Sequence, residues 1–161
     1  MLRDHLFRCG GVGRWVDGMT EGRPFRSWSE VIALSEAIWA TLDRNDVIEA
    51  ASHHPRIGAD REQLKRRFAT TAVWSAGEQA GVASADEAVI DALANANADY
   101  ERRFGYQFIV CATGKGAPEI LVILRERLSN DANEEWRIAR DELAKICTIR
   151  LEKLRNELGQ Q

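Results

Sequence analysis

An all-α, single-domain multi-helix bundle is the fold class this sequence predicts, and three observations predict it. Only three prolines occur, Pro24, Pro55 and Pro118, and the glycines thin out after the first quarter of the chain. Between these breakers, apolar residues recur at helical rather than alternating spacing. The one stretch rich in β-branched and aromatic residues, GYQFIVCATGKG at 105–116, is short and flanked by glycines. It reads as an extended connector rather than part of a sheet.

Taken in order, residues 15–19 form a short helix closed by the GRPF turn. A second helix spans 27–42, with Ser27 at its N-cap and Glu30 three residues on, the spacing of a capping box. A third covers 46–52 and ends at HHP, because the residue before a proline avoids the α region. Helices follow at 61–82 and 85–104, separated by a short GVAS link. The connector leads into 118–128, and a long helix at 132–158 closes the chain.

Composition narrows the class of function. The chain has 161 residues, 45% hydrophobic and 29% charged, with a formal net charge of −3. That balance, without a dense basic stripe, argues against a nucleic-acid partner. The three cysteines, Cys9, Cys111 and Cys147, are far apart and form no C-x-x-C pair. Neither a disulfide framework nor a zinc site is expected, and a reducing compartment fits best. No run reaches the ~20 apolar residues of a membrane span, and the first residues lack a signal-peptide core, so the expected location is cytoplasmic.

Three polar features stand out on these helices. On 61–82 the stripe Leu64, Phe68, Thr71 gives way to Ser75, Glu78 and Gln79, either a solvent-reaching end or a polar pocket wall. On the last helix Arg150 lies on the stripe Trp136, Ala139, Leu143, Ile146, Cys147, Leu154. A guanidinium there needs a carboxylate such as Glu78, or an anionic ligand. Asn97 sits at the edge of the stripe Val89, Leu93, Tyr100, Phe104, and the five tryptophans are core anchors. His53 and His54, two of only three histidines, end a helix before Pro55. As a metal site this pair is poor, because the chain has only three histidines. His, Glu and Arg together would make an acid–base site with an anion anchor.

Four motifs in series, HPRIG at 54–58, SAGEQAG at 75–81, NADYERRFGYQFIVCATGK at 97–115 and IRLEKL at 149–154, closely resemble the OHCU decarboxylases. These act on 2-oxo-4-hydroxy-4-carboxy-5-ureidoimidazoline (OHCU) in urate breakdown. The resemblance runs from about Cys9 to Leu154. It implies the all-α fold of that family, often a homodimer, with no metal and no organic cofactor. It also implies conversion of OHCU to (S)-allantoin and carbon dioxide, the last of three steps from urate. Carried over by motif, His54 is the catalytic acid–base residue and Pro55 follows it at the pocket wall. Ser75, Glu78 and Gln79 hold substrate, with Glu78 also orienting His54. Phe108, Ile109, Val110, Cys111 and Ala112 offer backbone groups to the substrate's ring and ureido arms, and Arg150 anchors an anionic or carbonyl group. Two departures are visible: Cys9-Gly10-Gly11, with a further Gly13, stands where the family tends to C-G-S, and ATGKG replaces ATGKS.

The chemistry suits these residues. Decarboxylation leaves an electron pair on carbon, and OHCU supplies its own carbonyl and imine-like sink where other enzymes recruit a cofactor. The protein must stabilise the developing charge and deliver a proton to one face. An imidazole cycling near pH 6.5 suits the second task, and backbone donors of 108–112 suit the first. A clamp by Arg150 on the departing carboxylate would stabilise ground and transition states alike, so a contact with a carbonyl oxygen that gains charge is preferred. The competing expectation is a non-catalytic helical interaction module whose polar groups are internal ion pairs.

Overall fold

A computed structural model describes residues 2–56, 61–69 and 79–159, with the backbone alone at 67–69 and 79–86. Among the described residues it is all-α, with eight helices. These are α1 (Leu2–Gly10), α2 (Gly13–Glu21), α3 (Trp28–Thr41), α4 (Arg44–Ser52), α5 (Arg61–Ala69), α6 (Gln79–Phe104), α7 (Ala117–Leu128) and α8 (Ala132–Leu158). The chain divides into two compact units, residues 1–55 with 133–161, and residues 56–132.

In the first unit α1 packs on α2 and α2 on α3. Its core holds Trp15, Val16, Met19, Trp39, Leu42, Val47, Ala50, Leu143 and Cys147. The Trp15 indole donates to the Ser35 hydroxyl at 3.1 Å, so this fully buried ring keeps its one polar atom satisfied. Gly10 is required beside it, since a Cβ there would meet the Trp15 ring at 2.4 Å. Trp15 and Trp39 are core anchors as expected, whereas Trp28 and Trp136 are half-buried, each with an arginine over its ring.

Caps set several helix starts. Ser27 accepts from the Glu30 amide, but the Glu30 carboxylate accepts from the Arg26 amide, one residue before the reciprocal position of a capping box. The complete box lies at α4 instead, where Asp43 accepts from the Asn45 and Asp46 amides and Asp46 accepts from the Asp43 amide at 2.8 Å. Val12, the N-cap of α2, has no side-chain acceptor. Glu49 of α4 supplies one, taking the Gly13 amide at 2.9 Å.

In the second unit α5 and α7 both pack on α6. The expected GVAS link is not a break: residues 81–84 lie inside the 26-residue α6. One glycine in a helix costs only about 1 kcal/mol, which the rest of a long helix absorbs. Residues 105–116 are the expected connector, without strand pairing. Gly105 (φ +81°) ends α6 in the left-handed region, donating its amide to the Glu101 carbonyl. Gly114 (φ +76°) takes the third position of a turn closed by Lys115 N–H to Ala112 O at 3.0 Å, as a type II turn demands. Asn97 donates to the Leu93 carbonyl of its own helix at 3.0 Å.

Candidate active site

Helix α4 delivers the histidine pair. Its last turn leaves carbonyls without helical partners, and the Ala50 carbonyl takes both the His53 amide at 3.2 Å and the His54 Nδ1 at 2.8 Å. His53 is the C-cap, exposed, with its ring edge-on to Phe7 at 4.9 Å. His54 is buried, with 7% of its surface exposed. The two adjacent imidazoles therefore live in different media.

Burial drives the His54 pKa down to about 4, the Arg150 and His53 charges push the same way, and the Ala50 carbonyl opposes them. At neutral pH the ring is uncharged. A carbonyl can only accept, so Nδ1 carries the proton and the ring's lone pair is on Nε2. The tautomer is thus fixed by the backbone of its own helix, a signal present in the sequence only as the i−4 spacing from Ala50.

Arg150 reaches His54 electrostatically but is not buried at the centre of a stripe. The buried ridge of α8 runs Glu135, Ala139, Leu143, Cys147, Leu151. Arg150 flanks it, half-buried, and Trp136, Ile146 and Leu154 are likewise only partly covered. The i±4 row fixes the ridge, which moves the centre one residue from Arg150 to Leu151. Its guanidinium donates to the Arg8 carbonyl at 3.2 Å. Beside it, burial pushes the Cys147 thiol up to about 12 and raises that of Cys9, so both remain protonated.

The remaining candidates fall in three places. Ser75 and Glu78 lie outside the described residues, and Gln79 is placed by backbone alone as the first residue of α6. Pro55 is exposed immediately after His54. Phe108, Ile109 and Val110 are buried in the second unit, while Cys111 and Ala112 are half-buried. The Ile109 carbonyl is already engaged, accepting from Arg127 at 2.6 Å. Arg127 is 6% exposed, lies 4.7 Å from the Phe108 ring centre and faces Tyr100. Sequence reasoning missed it. The available signal is its place on the stripe Ala117, Ile120, Leu121, Leu124, Arg127. Among the described residues no cluster of three or more metal-ligating side chains occurs, and no helix is long and apolar enough to cross a membrane.

Among the described residues the chain is all-helical and buries a histidine at a helix end. The model of the OHCU decarboxylase family matches residues 2–152, and the chain belongs to that family. A crystal structure of OHCU decarboxylase in the presence of (S)-allantoin superposes with a TM-score of 0.74 at 31% identity, covering 94% of this chain and 96% of that one. A crystal structure of (S)-allantoin synthase, 15% identical with a TM-score of 0.66 over 94% of this chain and 48% of that one, shares the fold. The uric acid degradation bifunctional protein TTL of Arabidopsis thaliana is 32% identical over 148 residues, 91% of this chain and 45% of the relative. The 2-oxo-4-hydroxy-4-carboxy-5-ureidoimidazoline decarboxylase of Amia calva is 35% identical over 101 residues, 63% of this chain and 57% of the relative. The chain spans about half the length of these curated relatives.

Proposed function

We propose that this protein decarboxylates OHCU to (S)-allantoin and carbon dioxide without a cofactor, the last step of urate conversion to allantoin. Family membership across residues 2–152 supports the reaction class. The observation that carries the mechanism is the His54 Nδ1 contact to the Ala50 carbonyl. The carbon at ring position 4 bears both the hydroxyl and the carboxylate, and its neighbour at position 5 bears the ureido group. Loss of carbon dioxide moves the released pair into the bond between these carbons, while the adjacent imine-like nitrogen takes up the charge. The Nε2 lone pair accepts the hydroxyl proton, that oxygen becomes the product carbonyl, the imidazolium returns a proton to carbon 5 from one side, and the ring nitrogen left negative by the loss of carbon dioxide takes a proton from solvent. Protonation from a fixed side makes one enantiomer. A ring whose charged form is disfavoured by burial is a strong proton donor once charged.

In this reading Arg150 meets an oxygen that gains charge, Ser75, Glu78 and Gln79 hold substrate, Pro55 borders it, and 108–112 offer backbone donors. The two units act as one OHCU decarboxylase domain over residues 1–161, in a cytoplasmic homodimer. The substrate's own electron sink removes the need for a metal or organic cofactor. The family assignment disfavours the non-catalytic interaction module. The test follows allantoin formation from freshly oxidised urate by circular dichroism. Wild type accelerates it with single handedness, and a folded His54→Ala protein with the wild-type rate would overturn the role.

A further inference from the structure

His54 and Arg150 both lean on one short piece of chain, the corner where α1 turns into α2. Gly11, in the left-handed region at φ +68°, closes that corner by donating to the Phe7 carbonyl at 2.8 Å. A Cβ at Gly11 would sit 3.3 Å from the Ala50 carbonyl oxygen and 3.3 Å from the His53 Cβ. The corner backbone therefore lies directly against the carbonyl that holds His54. On one side Phe7 packs its ring on His53. One residue on, the Arg8 carbonyl accepts from the Arg150 guanidinium. Two further ties fasten the start of α2 to α4, the Gly13 amide on Glu49 and Arg14 on Asp46.

The geometry points to residues 7–11 as a positioning element that registers His54 and Arg150 to one another. It acts on His54 through the Ala50 carbonyl and on Arg150 through the Arg8 carbonyl, and touches substrate through neither. At Gly11 a side chain would be strained at that φ, and its Cβ would crowd the Ala50 carbonyl oxygen. The inference rests on the catalytic reading of His54 for its consequence in rate, but not for its geometry.

The test uses the full-length chain in wild-type, Gly11→Ala, Phe7→Ala and Phe7→Tyr forms, with ¹⁵N-labelled histidine. The His54 ring is read directly by NMR for tautomer and titration, with turnover measured alongside. In wild type the Nδ1–H form dominates. In Gly11→Ala and Phe7→Ala the Nε2–H form gains and the midpoint moves from about 4 toward 6.5, while kcat falls about 10-fold with KM little changed. Phe7→Tyr, which keeps the ring, restores the wild-type spectrum and rate. Folded Gly11→Ala and Phe7→Ala proteins with an unchanged His54 spectrum would overturn the proposal. A shifted spectrum with turnover insensitive even to His54→Ala would leave the positioning intact and sink the catalytic reading instead.

Discussion

The C-terminal end of α4 and the connector at 105–116 solve the same problem in opposite ways. Each must hold polar groups rigidly out of water. At α4 the group is a side chain, and its partner is four residues back on the same helix, the Ala50 carbonyl at 2.8 Å. In the connector the groups are backbone, and the partner is Arg127, 18 residues away, reaching the Ile109 carbonyl. A local bond forms with the helix itself and leaves the imidazole titratable. The long-range bond requires a buried guanidinium, whose charge is attracted to the faces of the Phe108 and Tyr100 rings. The difference teaches where each region is vulnerable: the histidine to pH, the connector to loss of one distant residue.

The strongest break in the comparison is chemical. His54→Ala removes the proton carrier, and kcat for OHCU falls by about 10²–10⁴ with the helical spectrum retained, as stopped-flow dichroism would record. Next comes pH. Because the folded pKa of His54 is depressed, its contribution to stability is full above about 6.5 and is lost as pH falls toward about 4. The loss amounts to about 3 kcal/mol, measurable as a fall in denaturation midpoint that His54→Ala lacks. The acid limb of kcat/KM belongs near 4 rather than 6.5, and Arg150→Ala moves it upward by removing a repelling charge.

On the connector side, Arg127→Met keeps volume but strands the Ile109 carbonyl, costing about 2 kcal/mol in chemical denaturation. The same variant raises KM more than it lowers kcat if 108–112 present backbone donors to substrate. The smallest effect concerns the loop departure. Gly116 is the N-cap of α7 without a side-chain acceptor, so Gly116→Ser adds one and stabilises by a few tenths of a kcal/mol, about 1 °C in melting temperature.

Helix positions were largely legible in the sequence because their signals are local. Ser27 and Pro118 mark helix starts, and the glycines at 105 and 114 mark the connector's turns. The helix α1 escaped because nine residues hold too few apolar positions to set a period. Within the site, His54 was legible as the half of the doublet next to proline. Its protonation was not: a value near 6.5 assumes water, and burial replaced it with one near 4. Arg150 was found as an odd residue on a helix, but its half-exposed flank and its bond to Arg8 were not.

The amino-acid order alone therefore determined most of the helical segments and which family they belong to, since periodicity, caps and motifs are properties of neighbours along the chain. Only the tertiary structure decided that His54 is uncharged at neutral pH, which arginine lies under the connector and which backbone faces the glycine at position 11. Each of those depends on how much water remains and which carbonyl comes within 3 Å or so, quantities set by segments that meet only when the chain has folded.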